Sequence, residues 1–230
     1  MIKKDVPISQ KVSQEQNANV FEQKVLANKE FEKDLKTMIK NGKTPIAIGI
    51  AEAAYLKTID EDGKVIAVRP LTNKEVAEEK YSNEVYAAQG QTQYRDNLQL
   101  YTSLSGSAPT YWVQSNAYWS GIGEISSGWE ALGITWESAF GANNDSSTTI
   151  KYSATADGGG SLEDFKPYSG AVWSFPDGYV MDVITNYLQG AYVGLHVTRV
   201  GSAGLHYFSS EYIHTTQSLS WSATVEYDST

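Results

Sequence analysis

The spacing of hydrophobic positions changes near residue 93 of the 230-residue chain. In residues 13–41 the apolar side chains recur at three- and four-residue steps, and Glu and Lys fill the remaining positions. This is the period of an amphipathic helix, with a solvated Lys/Glu face. Asn41-Gly42 and the proline at position 45 are typical of the end of a helix. The pattern therefore predicts a helix over residues 13–41.

Three shorter features follow the helix. Residues 46–59 and 64–69 are strand-like segments on either side of an Asp/Gly turn, which predicts a β-hairpin. Thr72 and Glu75 have the spacing of a capping box and predict a short helix. Residues 81–93 have the composition of a linker.

From Gln93 onward the pattern alternates between apolar and polar residues. Gly, Pro, Asn or Asp clusters separate most of the alternating segments, as expected for a mainly β protein. The turn at 201–204 predicts that its two flanking strands pair with each other. Short strands at this spacing predict an antiparallel β-sandwich. The predicted strands are residues 94–104, 110–120, 131–138, 147–156, 168–175, 179–188, 190–200, 205–216 and 219–228.

Charge divides the chain at nearly the same place. Residues 1–95 contain 15 basic and 14 acidic side chains, a net charge of +1, whereas residues 96–230 contain 3 and 13, a net charge of −10. We therefore predict two domains. Residues 1–92 form a helical and hairpin segment, either a pro-region or a docking unit, and residues 93–230 form the β-sandwich, preceded by that small α+β part.

Composition excludes several classes of protein. The acidic, lysine-poor C-terminal part argues against binding to nucleic acid or to anionic lipid. The chain has no cysteine, and it has no apolar run long enough for a transmembrane helix. Its first residues resemble the charged start of a signal peptide, but polar residues follow. We expect an extracellular protein whose signal is absent from this chain or which leaves the cell by another route.

A short stretch near the C-terminus carries a resemblance. Tyr212-Ile-His-Thr-Thr-Gln-Ser-Leu-Ser-Trp221 resembles the ends of small secreted, β-rich proteins of Bacillus-like Gram-positive bacteria. Those proteins have no assigned activity. The resemblance in overall composition covers about residues 90–228, and it implies export, a β fold and no catalytic site.

Aromatic residues are the strongest sign of a binding function. Neighbouring residues on a strand point to opposite faces, so at least one ring of the pair 111–112 and one of the pair 118–119 should lie outside a single buried face, unless both faces of the strand are covered. Exposed Trp and Tyr with few charges favour contact with sugar rings, with a membrane interface or with a protein. The predicted ligand-binding residues are Trp112, Tyr118, Trp119 and Trp129.

Candidate catalytic and metal-binding patterns are weak. The predicted pairing across 201–204 separates His196 from the other two histidines, so no metal site is predicted, and no serine lies in a Gly-x-Ser-x-Gly motif. Glu124, Glu130 and Glu137 each have a tryptophan near them, an arrangement that suits sugar chemistry, but solvated acids explain them as well. No cofactor is predicted. The oxygen-rich loops at 143–145 and 157–164 leave weak Ca2+ binding open.

These observations favour a secreted, non-enzymatic β-sandwich that binds a cell-wall glycan, a host glycan or a surface protein. A membrane-active toxin or bacteriocin-like protein is one alternative, because long Ser/Thr-rich strands can form an amphipathic barrel hairpin. A phage or spore structural protein that self-assembles is another.

Overall fold

The structure is a computed structural model, and it describes residues 28–61, 65–78, 86–88, 91–119, 129–152, 158–181, 184–214 and 219–228. The chain divides into two compact units, Met1–Thr44 and Pro45–Thr230. Among the described residues, no helix combines the length and the apolar character needed to cross a membrane.

The first unit contains helix α1 (Lys29–Lys40). Asn28 caps it: its backbone is extended, and its side chain accepts a hydrogen bond from the backbone N of Phe31 at 2.9 Å. The helix ends at Asn41, and Gly42 follows with a φ of 76°. The predicted end is therefore confirmed. An unbroken helix over 13–41 is wrong, because Asn28 is extended and caps a helix that begins at Lys29. Residues 13–27 lie outside the described part.

The second unit consists mainly of strands, with one short helix, α2 (Asn73–Ala77), which opens with the predicted capping box. The strands are β1 (Pro45–Ile59), β2 (Val65–Pro70), β3 (Tyr86–Ala88), β4 (Gln91–Ser107), β5 (Thr110–Trp119), β6 (Trp129–Trp136), β7 (Phe140–Ala142), β8 (Ser147–Tyr152), β9 (Ser161–Lys166), β10 (Gly170–Pro176), β11 (Gly178–Met181), β12 (Ile184–Arg199), β13 (Leu205–His214) and β14 (Leu219–Asp228).

These strands form two antiparallel sheets. The nine-stranded sheet has the order β11-β12-β5-β4-β1-β2, with β3 beside β4 and with β7 and β8 beside β12. The five-stranded sheet has the order β14-β13-β6-β10-β9. The inner faces of both sheets contribute to one apolar core, so the predicted β-sandwich class is confirmed. Its largest fully buried side chains include Tyr111, Phe140, Trp173, Phe175, Phe208 and Tyr212.

The predicted pairing across the turn at 201–204 is wrong. Strand β12 pairs with β5 and β8 in the nine-stranded sheet, whereas β13 pairs with β14 and β6 in the five-stranded sheet. The chain changes sheets at this turn: β12 contributes its apolar side chains to the core from one sheet and β13 from the other. The histidine argument that assumed this pairing loses its basis.

The N-terminal half of the second unit is part of the same fold. The predicted hairpin is confirmed as β1 and β2, and β1 pairs with β4 from Pro45 to Ile59. Residues 86–88 pair with 91–93, so this part of the predicted linker belongs to the nine-stranded sheet, and the rest of it, 81–85 and 89–90, lies outside the described residues. The nine-stranded sheet thus contains strands from both sides of residue 92, and removal of 1–92 on maturation stays a prediction.

Candidate functional site

The outer face of the five-stranded sheet exposes a tryptophan. Trp129 begins β6 with 53% of its surface accessible. Strand pairing places Pro176 of β10 beside Trp129, and Ile213 of β13 beside Ala131. Since residues two apart on a strand share a face, these four side chains form one neighbouring apolar group. We call this surface the Trp129 face; it comprises Trp129, Ala131, Ser174, Pro176 and Ile213.

Small side chains continue this face along the strands. Gly133 follows Ala131 on the same side of β6, and Thr135 follows it; both pair with residues of β10 and β13. Gly170 of β10 pairs with Thr135, and a side chain at Gly170 would meet the carbonyl oxygen of Ile134 at 2.8 Å. These glycines leave gaps among the larger side chains of the outer face, at a distance along the strands from the indole.

Oxygen-bearing side chains lie at the edge of the Trp129 face. The Ser174 hydroxyl donates a hydrogen bond to Glu163 Oε1 at 2.5 Å, and Glu211 is exposed on β13. Lys166 Nζ lies 3.3 Å from Asp164 Oδ2, which offsets its positive charge. An exposed indole beside carboxylates and hydroxyls can stack on a ring and accept hydrogen bonds from its hydroxyl groups.

Trp112 and Tyr118 occupy a different surface. They lie on the outer face of β5, in the nine-stranded sheet, and both are buried. A chain of hydrogen bonds joins them: Trp112 Nε1 donates to Gln114, Gln114 Nε2 donates to Asn116, and Asn116 Nδ2 donates to the Tyr118 hydroxyl. Both faces of β5 are thus buried in this part of the strand.

Trp119 points the other way, into the sandwich. Its indole is half-buried, and Nε1 donates to the Tyr212 hydroxyl at 3.1 Å. The structure therefore does not assemble the four predicted aromatic residues into one surface, because Trp112 and Tyr118 face away from Trp119 and belong to a different sheet from Trp129. Ligand binding by any of them stays a prediction.

The three glutamates do not form a catalytic pair in the described residues. Glu124 lies outside the described part, Glu130 is buried on the inner face of β6, and Glu137 is exposed beyond the other end of that strand. Seven residues of extended chain span about 23 Å, far more than the separation at which two carboxyl groups act on one glycosidic bond. Glu137 instead has its Oε2 3.0 Å from Nδ1 of His206.

Asp145, in one of the predicted Ca2+ loops, contacts His196. Its Oδ2 lies 2.6 Å from His196 Nδ1, and its Oδ1 accepts a hydrogen bond from the His196 backbone N at 3.2 Å. In the part of the chain that the structure describes, no three His, Cys, Asp or Glu side chains are grouped to hold a metal ion. Residue 157 lies outside that part, and weak Ca2+ binding stays an untested expectation.

A buried polar cluster was not predicted. Tyr55, Lys57, Asp96, Trp119 and Glu130, which we call the Lys57 cluster, lie inside one end of the sandwich, where β1, β4, β5 and β6 meet. Lys57 Nζ lies 2.8 Å from Asp96 Oδ2 and 4.8 Å from the centre of the Trp119 ring. The sequence of β1 contains a sign of this cluster. Lys57 lies an even number of residues from Ala51, Ala53 and Tyr55, so its side chain lies on the same face of the strand as theirs.

Electrostatics in the Lys57 cluster favour a neutral tyrosine. Burial, followed by the negative charges of Glu130 and Asp96, raises the pKa of Tyr55 well above its usual value. The Tyr55 hydroxyl therefore keeps its proton. The cluster combines an amine, two carboxyl groups and a neutral phenol in a site shielded from water.

Comparisons with known proteins give little guidance. No family model and no curated protein sequence matches the chain. The C-terminal domain of the AgI/II polypeptide BspA of Streptococcus agalactiae has 7% identity and a TM-score of 0.35, with 78% of this chain and 83% of that chain covered. The C-terminal domain of the antigen I/II-family protein AspA of Streptococcus pyogenes has 10% identity and a TM-score of 0.33, with 77% and 84% covered. Likenesses this weak carry no weight for fold or function.

Proposed function

We propose that this chain is a secreted, non-enzymatic β-sandwich protein that binds a glycan of a cell wall or host surface on the Trp129 face. The observation that carries the proposal is the exposure of Trp129, 53%, on the outer face of the five-stranded sheet beside Pro176 and Ile213. Large aromatic side chains are normally covered, and an exposed one within an apolar group marks a contact surface.

The chemistry of this face suits a sugar. The indole offers an apolar plane to the C–H face of a pyranose ring, and its edge is polar. Glu163, Glu211 and the Ser174 hydroxyl offer oxygen atoms that accept hydrogen bonds from sugar hydroxyls. Because these carboxylates would repel an anionic polymer, the ligand we propose is an uncharged glycan rather than a phosphate-rich one.

The other aromatic candidates take structural roles in this proposal. Trp112 and Tyr118 are buried and hydrogen-bonded through Gln114 and Asn116. Trp119 holds Tyr212 inside the sandwich. Of the four residues that the sequence singles out, Trp129 alone is proposed to contact the ligand.

The test compares the unmodified chain with Trp129→Ala and with Tyr168→Ala. Tyr168 is a matched control, because it is 60% exposed but lies in the β9–β10 turn, outside the Trp129 face. Each protein is mixed with insoluble glycans and purified cell walls, and the bound fraction is measured by pull-down and tryptophan fluorescence. We expect saturable binding that Trp129→Ala weakens roughly tenfold or more and Tyr168→Ala leaves unchanged.

Equal binding by the unmodified chain and Trp129→Ala would overturn the site. Absence of binding by the unmodified chain to every glycan and wall would overturn the glycan function. Dye leakage from liposomes at micromolar protein, or concentration-dependent self-association, would then favour the toxin or the structural protein, respectively.

A further inference from the structure

The Lys57 ammonium and the Asp96 carboxylate are enclosed in the sandwich as a contacting pair. Their side chains are 3% and 2% exposed, and Nζ lies 2.8 Å from Oδ2. Lys57 is on β1 and Asp96 is on the adjacent β4, where Asp96 pairs with Tyr55, two residues before Lys57. The amine of Lys57 and the carboxyl group of Asp96, which together could form an amide, are thus held in contact by the sheet itself.

The surroundings fix the carboxyl group and exclude water. Asp96 Oδ1 accepts a hydrogen bond from the backbone N of Asn97 at 2.8 Å, which orients the carboxyl group. The Trp119 ring covers the Lys57 ammonium at 4.8 Å, and the Tyr55 ring lies 5.5 Å from Trp119. Removing a charged pair from water costs free energy, so such a site favours a reaction that discharges both groups.

We propose that Lys57 and Asp96 condense to an intramolecular isopeptide bond between Nζ and Cγ. One ammonium proton passes to the carboxylate, which leaves a neutral amine and a carboxylic acid. The amine attacks Cγ, the N–C bond forms, and the Cγ–O bond to the protonated oxygen breaks. A second amine proton joins the departing oxygen, and one water molecule leaves. No oxidant or cofactor is needed for this balance.

Glu130 is the group that relays the second proton. It is 1% exposed on the inner face of β6, which places its carboxyl group in the same core as the pair. A carboxyl group in that core can take a proton from the attacking nitrogen and return it to the departing oxygen. The neutral Tyr55 hydroxyl adds no charge to the site.

The bond has a structural consequence for processing. Residues 81–93 separate β1 and β2 from most of β4 in the sequence, and a protease that cut between positions 79 and 90 would divide the chain there. With Lys57 joined to Asp96, the two fragments would stay covalently attached. This link does not depend on what the Trp129 face binds.

The test is the intact mass of the purified full chain under denaturing conditions. We expect a mass lower than the sequence mass by one water molecule. Lys57→Arg is the matched control: it keeps a cation beside Asp96 but lacks the primary amine, so its mass should equal its own sequence mass. A full sequence mass for the unmodified chain, or the same loss of water in Lys57→Arg, would overturn the bond.

Tryptic mapping identifies the residues between which water has been lost, and this test remains valid even if Lys57→Arg fails to fold. In the linked protein trypsin cannot cut after Lys57, so the peptide that begins at Thr44 should extend to Lys64 and be joined to the peptide containing Asp96. A water loss mapped to another pair would overturn the proposal. Glu130→Gln should keep its full mass while retaining the far-ultraviolet spectrum of the fold, and a complete water loss in that variant would remove Glu130 from the mechanism.

Discussion

The indole of Trp112 lies directly against the backbone of Gly194, on the neighbouring strand β12. A Cβ atom at Gly194 would be 2.7 Å from Trp112 Cζ2, closer than such atoms approach in proteins. His196, two residues further along β12, contacts the same indole with its ring 4.8 Å away. The absence of a side chain at Gly194 therefore leaves the space that the Trp112 indole fills.

Replacing Gly194 by alanine should destabilise the sandwich. The added methyl group must displace the Trp112 ring or the strand, which costs about 1–3 kcal/mol for overpacking. Gly133→Ala is the control, because a Cβ there meets no atom closer than 3.6 Å. Urea unfolding followed by fluorescence should show a lower midpoint for the first variant and a nearly unchanged one for the second. Equal midpoints in the two variants would contradict this account of Trp112.

Asn116 connects the two ends of the hydrogen-bonded chain on β5. Its amide accepts from Gln114 Nε2 at 2.8 Å and donates to the Tyr118 hydroxyl at 3.0 Å, in a buried position. Asn116→Ala removes both partners at once and should cost about 1–3 kcal/mol in thermal or urea unfolding. Gln99→Ala breaks a hydrogen bond to Glu52 at an exposed position and should change stability by less than about 0.5 kcal/mol.

A hydroxyl pair crosses the apolar core between the two sheets. Thr102 of β4 donates to Ser210 of β13 at 2.7 Å, and both residues are buried. Thr102→Val removes the donor from Ser210 and should cost about 1–3 kcal/mol, whereas Thr102→Val with Ser210→Ala should cost less than the sum of the single changes. A double-mutant cycle in urea measures this coupling, and additive costs would show that the two hydroxyls do not stabilise each other.

Glu75 gives a prediction for acidic pH. The hydrogen bond from Arg69, together with those from the backbone N and hydroxyl of Thr72, lowers the pKa of Glu75 from 4.5 to about 2. A lowered pKa means that this contact stabilises the fold above about pH 4.5 and is lost as the pH falls through about 2. Because the Arg69 side chain is exposed and Glu75 is only partly covered, salt should weaken the effect.

Carboxyl titration by nuclear magnetic resonance checks the Glu75 prediction directly. The Glu75 signal should titrate near pH 2, and Arg69→Ala should move its midpoint upward, toward the ordinary value of 4.5. Thr72→Ala should move it by less, since Arg69 is the larger cause. A midpoint near 4.5 in the unmodified chain would show that the Arg69 contact does not persist in solution.

Local patterns predicted the elements better than their partners. The capping box of Thr72 and Glu75 and the β1–β2 hairpin are confirmed, because each depends on residues close together in the chain. Strands β7 and β9 were not predicted: β7 has three residues, and β9 carries mostly exposed side chains, so neither shows a clear alternation. Pairing positions both strands: β7 pairs with β12, and β9 pairs with β10.

The aromatic residues show the same limit. Adjacent tryptophan and tyrosine residues on β5 suggested exposed rings, yet Trp112 and Tyr118 are buried. Alternation predicts which side chains lie on the same face of a strand, but it does not predict whether other residues of the protein cover that face. Trp129, which has no such neighbour pattern in the sequence, is the exposed one.

By itself, the sequence determined the class of this protein: an antiparallel β-sandwich made of alternating strands, with a helical N-terminal part. These properties follow from side-chain alternation, turn residues and caps, all of which act over a few residues. Only the tertiary structure decided that β12 and β13 lie in different sheets, that Trp129 is exposed and that Lys57 meets Asp96. Those relationships join residues far apart in the chain, and the packing of one sheet on the other selects them.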